Sequence, residues 1–107
     1  MKVKIVAVTS CPTGIAHTYM AAEKLESTAR KKGIKIKVET LEENQSNNAL
    51  SKRDIEEATA VIIAADDTLD LSRFKGKPLK EVTTRDAILN AETLINEAAN
   101  NEFSIHE

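Results

Sequence analysis

Cysteine and aromatic residues are scarce in this 107-residue sequence, which has one cysteine, no tryptophan, one tyrosine and two phenylalanines. A single cysteine cannot form a disulfide within the chain, so Cys11 is expected to be a free thiol in a reducing compartment. Because aromatic residues make up only 3% of the chain, the core must be built from Val, Ile, Leu and Ala. This composition favours layers of helix and sheet in one domain that covers residues 1–107.

An excess of charge of either sign is also missing. Lys and Arg number 15 and Asp and Glu number 17, so the formal net charge is −2. No basic face is predicted, and nucleic acid is not an expected partner. No apolar run reaches the length of a membrane span or of a signal peptide, so we expect a cytoplasmic protein with no direct membrane insertion.

Metal ligands are few, since the chain has only two histidines, His17 and His106. We expect His106 to lie in a frayed C-terminus, which leaves Cys11 and His17 without the further ligands that a zinc site needs. The sequence therefore predicts no metal site and no cofactor.

Apolar β-branched runs alternate with amphipathic runs along the sequence. They predict four strands: one that ends near Thr9, Ile34–Glu39, Ala60–Ala65 and Leu79–Val82. They predict three helices: about Ala16–Lys32, Ser51–Ala58 and Asp86–Ala99, the last interrupted near Asn90. This order predicts a single-domain three-layer α/β/α fold with an open, mainly parallel four-stranded sheet of the doubly wound, Rossmann-like type.

Three further expectations concern the core and the surface. Tyr19, Met20 and Leu25 lie at helical spacing and are expected to pack in the core. Ile34–Glu39 alternates apolar and charged residues, which is typical of an outer strand. The polar stretch Leu41–Asn48 has no helical or strand period and is expected to be a mobile surface loop.

Cys11 comes directly after the first predicted strand. In open parallel sheets ligands bind beyond the carboxyl ends of the strands, so the loop that contains Cys11 lies where chemistry is expected. The helix that begins near Gly14 or Ile15 directs free N–H groups and a partial positive charge at this loop, which suits a phosphate or a thiolate. The predicted phosphate-binding residues are Pro12, Thr13, Gly14, Ile15, Ala16 and Thr18.

The roles of individual residues around Cys11 stay open on these grounds alone. A lone cysteine at a strand end is often a small buried hydrophobe, but the Pro-Thr-Gly sequence after Cys11 favours a nucleophile. His17 either supplies a proton or a positive charge to Cys11, or is an ordinary residue of the helix surface. Asp66 and Asp67, which follow a central strand, are either turn residues or functional carboxylates.

Spacing argues against two common thiol chemistries. Dithiol exchange of the thioredoxin type needs a second cysteine at the position of Gly14. A phosphatase of the Cys-x5-Arg type needs an arginine where this chain has His17, because the guanidinium clamps the phosphate in a bidentate contact. Neither reaction is expected of this chain.

The run CPTGIAHTYMAAE, from Cys11 to Glu23, resembles the active-site motif of the fructose-type enzyme IIB component of the bacterial phosphoenolpyruvate-dependent sugar phosphotransferase system. The similarity continues at residues 36–40, 54–55, 64–66 and 70–78. The chain departs from the family pattern in the Leu41–Asn48 stretch. The resemblance therefore covers most of the chain.

This resemblance implies that Cys11 accepts a phosphoryl group from a phosphohistidine of enzyme IIA. His17, by its position one turn into the helix that follows Cys11, is the second predicted catalytic residue. The resemblance implies that the phosphoryl group then passes to fructose or a fructose-like sugar held by the membrane component, enzyme IIC. Association with the inner face of the membrane through enzyme IIC is also implied. A second hypothesis, from the residues alone, is a receiver-like regulatory module that is phosphorylated on Asp66 or Asp67.

Overall fold

The structure, a computed structural model, describes residues 3–42 and 45–107. Its strands are β1 (Lys4–Ser10), β2 (Lys35–Glu42), β3 (Gln45–Asn47), β4 (Ala60–Ala65) and β5 (Leu79–Val82). Its helices are α1 (Ile15–Lys31), α2 (Lys52–Glu57), α3 (Thr84–Leu89) and α4 (Ala91–Ala99), with a short 3-10 helix at Ser72–Phe74. The predicted helices and strands are confirmed to within a few residues, including the interruption at Asn90.

The strands form one sheet in the order β3-β2-β1-β4-β5, in which β2, β1, β4 and β5 are parallel. β1 lies at the centre, and its residues from Ile5 to Ser10 are all buried. A strand covered on both faces needs an apolar side chain at nearly every position, which is why residues 5–8 of β1 and all of β4 are continuous apolar runs. The predicted fold class is confirmed, with one strand more than expected.

Helices cover both faces of the sheet. On one face α1, α3 and α4 pack against alternate residues of the central strands, among them Ile5 and Ile62. On the other face α2 and the chain after β4 cover Val6 and Val61. Successive side chains of a strand point to opposite faces, so the strand positions that share a face with Ile5 are directed at α1.

The polar stretch that was expected to be a mobile loop is part of a β-hairpin. β2 continues to Glu42, and β3 returns antiparallel beside it, with Thr40 opposite Asn47. β3 forms the edge of the sheet, so the expectation that the second strand is outermost is wrong. Pairing with β2 supplies the backbone hydrogen bonds that hold β3, and the side-chain pattern of β3 gives no sign of them. Glu43 and Asn44 of the expected loop lie outside the described residues.

The buried face of α1 is made mostly of small residues: Thr18, Ala21, Ala22, Leu25, Thr28 and Ala29. Tyr19 and Met20 are 43% and 51% exposed. Their predicted place in the core is therefore wrong, whereas that of Leu25 is confirmed. The helical stripe through Leu25 passes through Thr18 and Ala21, which leaves Tyr19 and Met20 on the flanks of the helix.

The C-terminal residues pair with the chain before β5 and are not frayed. The backbone N–H of Gly76 donates to the carbonyl of His106 at 2.7 Å, and the N–H of His106 donates to the carbonyl of Lys77 at 2.8 Å. The expectation that His106 lies in a frayed terminus is wrong, because these backbone hydrogen bonds fix it beside the sheet.

Candidate active site

Cys11 directly follows β1 at the carboxyl edge of the sheet and borders a cleft of about 650 Å³. The cleft lies between the loop after β1, the β2–β3 hairpin and the chain after β4. The described residues that line it are residues 10–15, Leu41, Glu42, Gln45, Asp67 and Leu69. Because Cys11 is only 8% exposed, a ligand must enter this cleft to reach the sulfur.

The N-terminus of α1 faces the cysteine loop, residues 11–16, without a cap. Gly14 is the N-cap residue and offers no side-chain hydrogen bond, and no acidic residue lies in the first turn of the helix. Backbone N–H groups at this end are therefore available to an anion, and the helix dipole favours negative charge there. Pro12, Thr13, Ile15 and Ala16 are exposed around this end, as the predicted phosphate-binding loop requires.

Within residues 3–42 and 45–107, two side chains lie within hydrogen-bonding distance of the sulfur of Cys11. The hydroxyl Oγ1 of Thr13 lies 3.7 Å from Sγ, and the imidazole Nδ1 of His17 lies 3.9 Å from it. Both distances are within the range of hydrogen bonds to sulfur. The structure therefore brings together Cys11, Thr13 and His17, three of the residues that the sequence indicated.

Gly14 makes room for the ring of His17. A Cβ atom at Gly14 would lie 3.3 Å from Nδ1 of His17, which is tighter than most contacts of real Cβ atoms. The backbone of Gly14 is extended, with φ at −161°, so any residue could adopt it. The sequence suggested that a glycine here lets the backbone approach an anion, and the structure adds that its missing side chain lets His17 approach Cys11.

Thr18 does not reach the cleft. It is 1% exposed on the inner face of α1, and its Oγ1 is buried with no hydrogen-bond partner among the described residues. A hydroxyl that is covered in this way cannot contact a phosphate at the cysteine loop. The position of Thr18 therefore gives no support to its predicted phosphate-binding role.

Asp66, left open by the sequence, lies next to this site. Its carboxylate accepts hydrogen bonds from the backbone N–H of Thr84 at 2.9 Å and from the Thr84 hydroxyl at 2.6 Å. Burial raises the pKa of Asp66, but the hydrogen bonds from the side chain and the backbone of Thr84 oppose burial, and the pKa is lowered overall. Asp66 thus joins the end of β4 to the start of α3 and carries a negative charge beside Cys11.

The rim of the cleft adds further negative charge. Among the described residues that line the cleft, Glu42 and Asp67 are the charged ones, and none is Lys or Arg. The Tyr19 hydroxyl donates to Glu42 and accepts a hydrogen bond of 3.1 Å from Asn47, which joins α1 to the hairpin. The hydrogen bond to Glu42 is the main reason that the pKa of Tyr19 is raised. Sequence reasoning missed this contact, because it placed Tyr19 in the core.

Residues 70–78, another stretch in which the sequence resembles the family, stabilise the fold and do not line the sulfur of Cys11. Arg73 makes a bidentate contact of 3.0 and 2.7 Å with the carboxylate of Glu39, which also accepts 2.7 Å from the N–H of Leu50. Burial raises the pKa of Glu39, but the hydrogen bonds from Arg73 and Leu50 outweigh burial and lower it. Phe74 is fully buried in the core next to this ion pair.

Neither a metal cluster nor a membrane span is found in the described parts of the chain. Residues 3–42 and 45–107 contain no group of three or more His, Cys, Asp or Glu side chains that could hold a metal ion. No helix in these two ranges is long and apolar enough to cross a membrane.

Comparison with known proteins gives one family and several similar chains. A family profile described as "PTS system, Lactose/Cellobiose specific IIB subunit" matches residues 6–97. Over 106 residues, 99% of its length, the chain is 43% identical to the PTS system fructose-specific EIIABC component of Bacillus subtilis (strain 168). It is 44% identical over 93 residues to the PTS system fructose-like EIIB component 2 of Escherichia coli (strain K12), with 86% of this chain and 88% of that protein covered.

A solved structure has the same fold. A domain from the fructose-specific IIABC component of Borrelia burgdorferi superposes with a TM-score of 0.90 at 45% identity and covers 98% of this chain and 99% of that one. The chain spans only 17% of the Bacillus subtilis relative. The similarity thus includes nearly all of this chain but a small part of some relatives.

Proposed function

Since the chain belongs to the enzyme IIB family of the sugar phosphotransferase system, in its fructose-type branch, we propose that it carries a phosphoryl group on Cys11. The observation that carries this proposal is the position of the thiol. Cys11 borders the cleft at the uncapped N-terminus of α1, with Thr13 Oγ1 and His17 Nδ1 within 4 Å of the sulfur.

The proposed reaction has two transfers. In the first, Cys11 Sγ attacks the phosphorus of a phosphohistidine, so that a P–N bond breaks, a P–S bond forms and the thiol proton balances the one taken up by the leaving imidazole. In the second, a sugar hydroxyl attacks the phosphocysteine, so that the P–S bond breaks, a P–O bond forms and Cys11 regains a proton.

The surrounding groups supply charge and position. The N–H groups of the first turn of α1 stabilise the phosphoryl oxygens, since they are fixed and need no reorganisation. Thr13 can donate a hydrogen bond beside the sulfur, and His17 supplies positive charge or a proton during transfer. Phosphoryl transfer depends mainly on such positioning and charge stabilisation.

Enzyme IIA and enzyme IIC are the proposed donor and acceptor. The name EIIABC of the Bacillus subtilis relative joins A, B and C components, which supports partners of these two kinds. A domain that transfers a phosphoryl group to a sugar bound by enzyme IIC would act at the inner face of the membrane. The proposed sugar is fructose or a fructose-like compound, as the names of the relatives indicate.

The test is incubation of the full chain with a phosphorylated fructose-type enzyme IIA, followed by mass spectrometry and peptide mapping. We expect one added phosphoryl group on Cys11 and protection of that thiol from alkylation. Cys11→Ser should lose transfer to sugar while its circular dichroism spectrum and melting temperature stay close to those of the wild type.

Asp66→Asn is the matched control for the receiver-like alternative. Both oxygens of Asp66 accept hydrogen bonds from Thr84, so the carboxylate has a structural role and is not expected to accept the phosphoryl group. We therefore expect Asp66→Asn to be phosphorylated on Cys11. An acyl phosphate that hydroxylamine cleaves, present in Cys11→Ser and lost in Asp66→Asn, would contradict the proposal and favour the alternative.

A further inference from the structure

Asp66 is held beside Cys11 by contacts on both sides. Its backbone N–H donates to the carbonyl of Ser10 at 3.1 Å, and Ser10 immediately precedes Cys11. Its carboxylate is fixed by the N–H and the hydroxyl of Thr84 at 2.9 and 2.6 Å. The end of β4 and the start of α3 therefore place a carboxylate next to the sulfur, with little freedom to move away.

The effect of this carboxylate on negative charge at the sulfur is opposite to that of the other groups at the site. The N-terminus of α1 and His17 favour negative charge on the sulfur and on any group bound to it. Asp66 is ionised at neutral pH, since its pKa is lowered overall. Ser10 of β1 pairs with Ala65 of β4, so Cys11 and Asp66 are the next residues of two adjacent strands, and a phosphoryl group on the sulfur would lie near the Asp66 carboxylate.

We propose that the negative charge of Asp66 destabilises phosphorylated Cys11 relative to the free thiol, and so keeps the phosphoryl group ready for onward transfer. This inference rests on the proposed function. Phosphorylation places a group with about two negative charges on residue 11, and the charge of the Asp66 carboxylate on the adjacent strand repels it. The repulsion is relieved when the P–S bond breaks, a P–O bond forms on the sugar and the sulfur takes back a proton.

A phosphocysteine that must pass its phosphoryl group on cannot be too stable. If only α1 and His17 acted on the phosphocysteine, each added interaction would make it a deeper energy minimum and slow its transfer to a sugar. A fixed carboxylate raises the energy of the intermediate without removing the nucleophile. The carboxylate that joins β4 to α3 thereby also acts on the chemistry at Cys11.

The test uses Asp66→Asn, which removes the charge but keeps an oxygen for the Thr84 N–H and adds a donor for the Thr84 hydroxyl. The matched control is Asp86→Asn, which removes an exposed carboxylate from the first turn of the same helix, α3. Each protein is equilibrated with a fructose-type enzyme IIA at a fixed ratio of its phosphorylated and free forms. Intact-mass spectrometry then gives the ratio of phosphorylated to free protein.

We expect this ratio to rise about tenfold in Asp66→Asn and to stay within about twofold of the wild type in Asp86→Asn. Transfer from isolated phosphorylated Asp66→Asn to sugar at enzyme IIC should be correspondingly slower. If Asp66→Asn fails to fold, Asp66→Ser replaces it, since a serine oxygen also caps helix N–H groups but carries no charge.

A second measurement needs no phosphoryl donor. The rate of Cys11 alkylation by neutral iodoacetamide, divided by its rate with anionic iodoacetate, reports the electrostatic potential at the sulfur. The quotient should fall several-fold in Asp66→Asn and stay unchanged in Asp86→Asn, a result that a purely structural role of Asp66 would not produce.

The outcomes separate the two proposals. A wild-type protein that is not phosphorylated on Cys11 overturns the proposed function, and this inference with it. A wild-type protein phosphorylated on Cys11, with the same phosphorylated ratio and the same alkylation quotient in Asp66→Asn, overturns this inference alone.

Discussion

The cysteine loop, residues 11–16, and the segment 70–78 both lie where the sequence resembles the enzyme IIB family, yet they differ in how their polar groups are used. In the cysteine loop the helix N-terminus is uncapped, and among the described residues the hydrogen-bond partners of the sulfur are two side chains at 3.7 and 3.9 Å. In the segment 70–78 Arg73 forms an ion pair with Glu39, and the N–H of Ser72 donates a hydrogen bond of 2.9 Å to the carboxylate of Asp70. Polar groups available to a ligand thus mark the site, and satisfied polar groups mark the framework.

The same contrast holds for burial. Phe74 of the segment is fully buried, whereas Pro12, Thr13 and Ile15 of the loop are exposed. Substitutions in the two regions should therefore have separate effects. Changes in the segment should lower the free energy of unfolding, and changes in the loop should alter transfer.

The largest effect on stability is expected from Arg73→Met. The variant leaves the carboxylate of Glu39, only 3% exposed, without its cation, while the methionine still covers Phe74. We expect a loss of about 2 to 3 kcal/mol in the free energy of unfolding, less than for a fully buried pair because Arg73 is 37% exposed.

Urea unfolding at neutral pH measures this loss, and Lys75→Met, an exposed cation of the same segment, is the control. Folded Arg73→Met should still be phosphorylated on Cys11 at a rate close to that of the wild type. If Arg73→Met is as stable as the wild type but is no longer phosphorylated on Cys11, the roles assigned to the two regions are reversed.

A smaller but clear effect is expected from His17→Gln in the cysteine loop region. The variant keeps a polar side chain near Cys11 but removes the positive charge and the acid–base function, so transfer should slow by about tenfold to a hundredfold. The phosphoryl group should still be found on Cys11. Quenched-flow transfer from phosphorylated enzyme IIA gives the rate, with His106→Gln as the control.

A normal rate in His17→Gln would show that the 3.9 Å contact with Cys11 has no part in the reaction. Complete loss of phosphorylation in a folded His17→Gln protein would instead make His17 the acceptor.

Much of the sheet and of the candidate site could be predicted from the sequence. The apolar run at Ala60–Ala65 is too continuous for anything but a covered strand, and the carboxyl edge of a parallel sheet then places Cys11 and Asp66 together. What could not be predicted is the choice between turn and site for Asp66. Its contacts with Ser10 and Thr84 join residues far apart in the chain.

The hairpin and the flank of α1 were less predictable for another reason. β3 has the sequence Gln-Ser-Asn, whose β propensity is low, and it forms through pairing with β2. Tyr19 is apolar enough to suggest the core, but its hydroxyl finds Glu42 and Asn47 at the surface. Both cases depend on contacts between separate segments, which side-chain periodicity does not contain.

A weaker effect, on the framework alone, is expected on acidification. The pKa of Glu39 lies below its ordinary value of 4.5 in the folded protein, since its hydrogen bonds outweigh burial. Its contribution to stability is full above about pH 4.5 and is lost as the pH falls through the folded pKa. The stability gap between wild type and Arg73→Met should therefore narrow between neutral pH and about pH 3 in urea titrations. A gap that widens on acidification would contradict the assigned ion pair.

The smallest effect is expected from Gly14→Ala, which changes the cysteine loop by one methyl group. The added Cβ would lie 3.3 Å from Nδ1 of His17, so the ring must shift by a few tenths of an ångström, whereas the extended backbone at φ −161° accepts alanine without strain. We expect transfer to slow by about twofold to fivefold, less than in His17→Gln. A double-mutant cycle identifies the cause, since residues that act through one contact are not additive. If Gly14 acts by making room for the imidazole, Gly14→Ala should have no further effect in the His17→Gln background. An equal slowing in both backgrounds would show instead that the missing side chain of Gly14 serves the bound phosphoryl group directly.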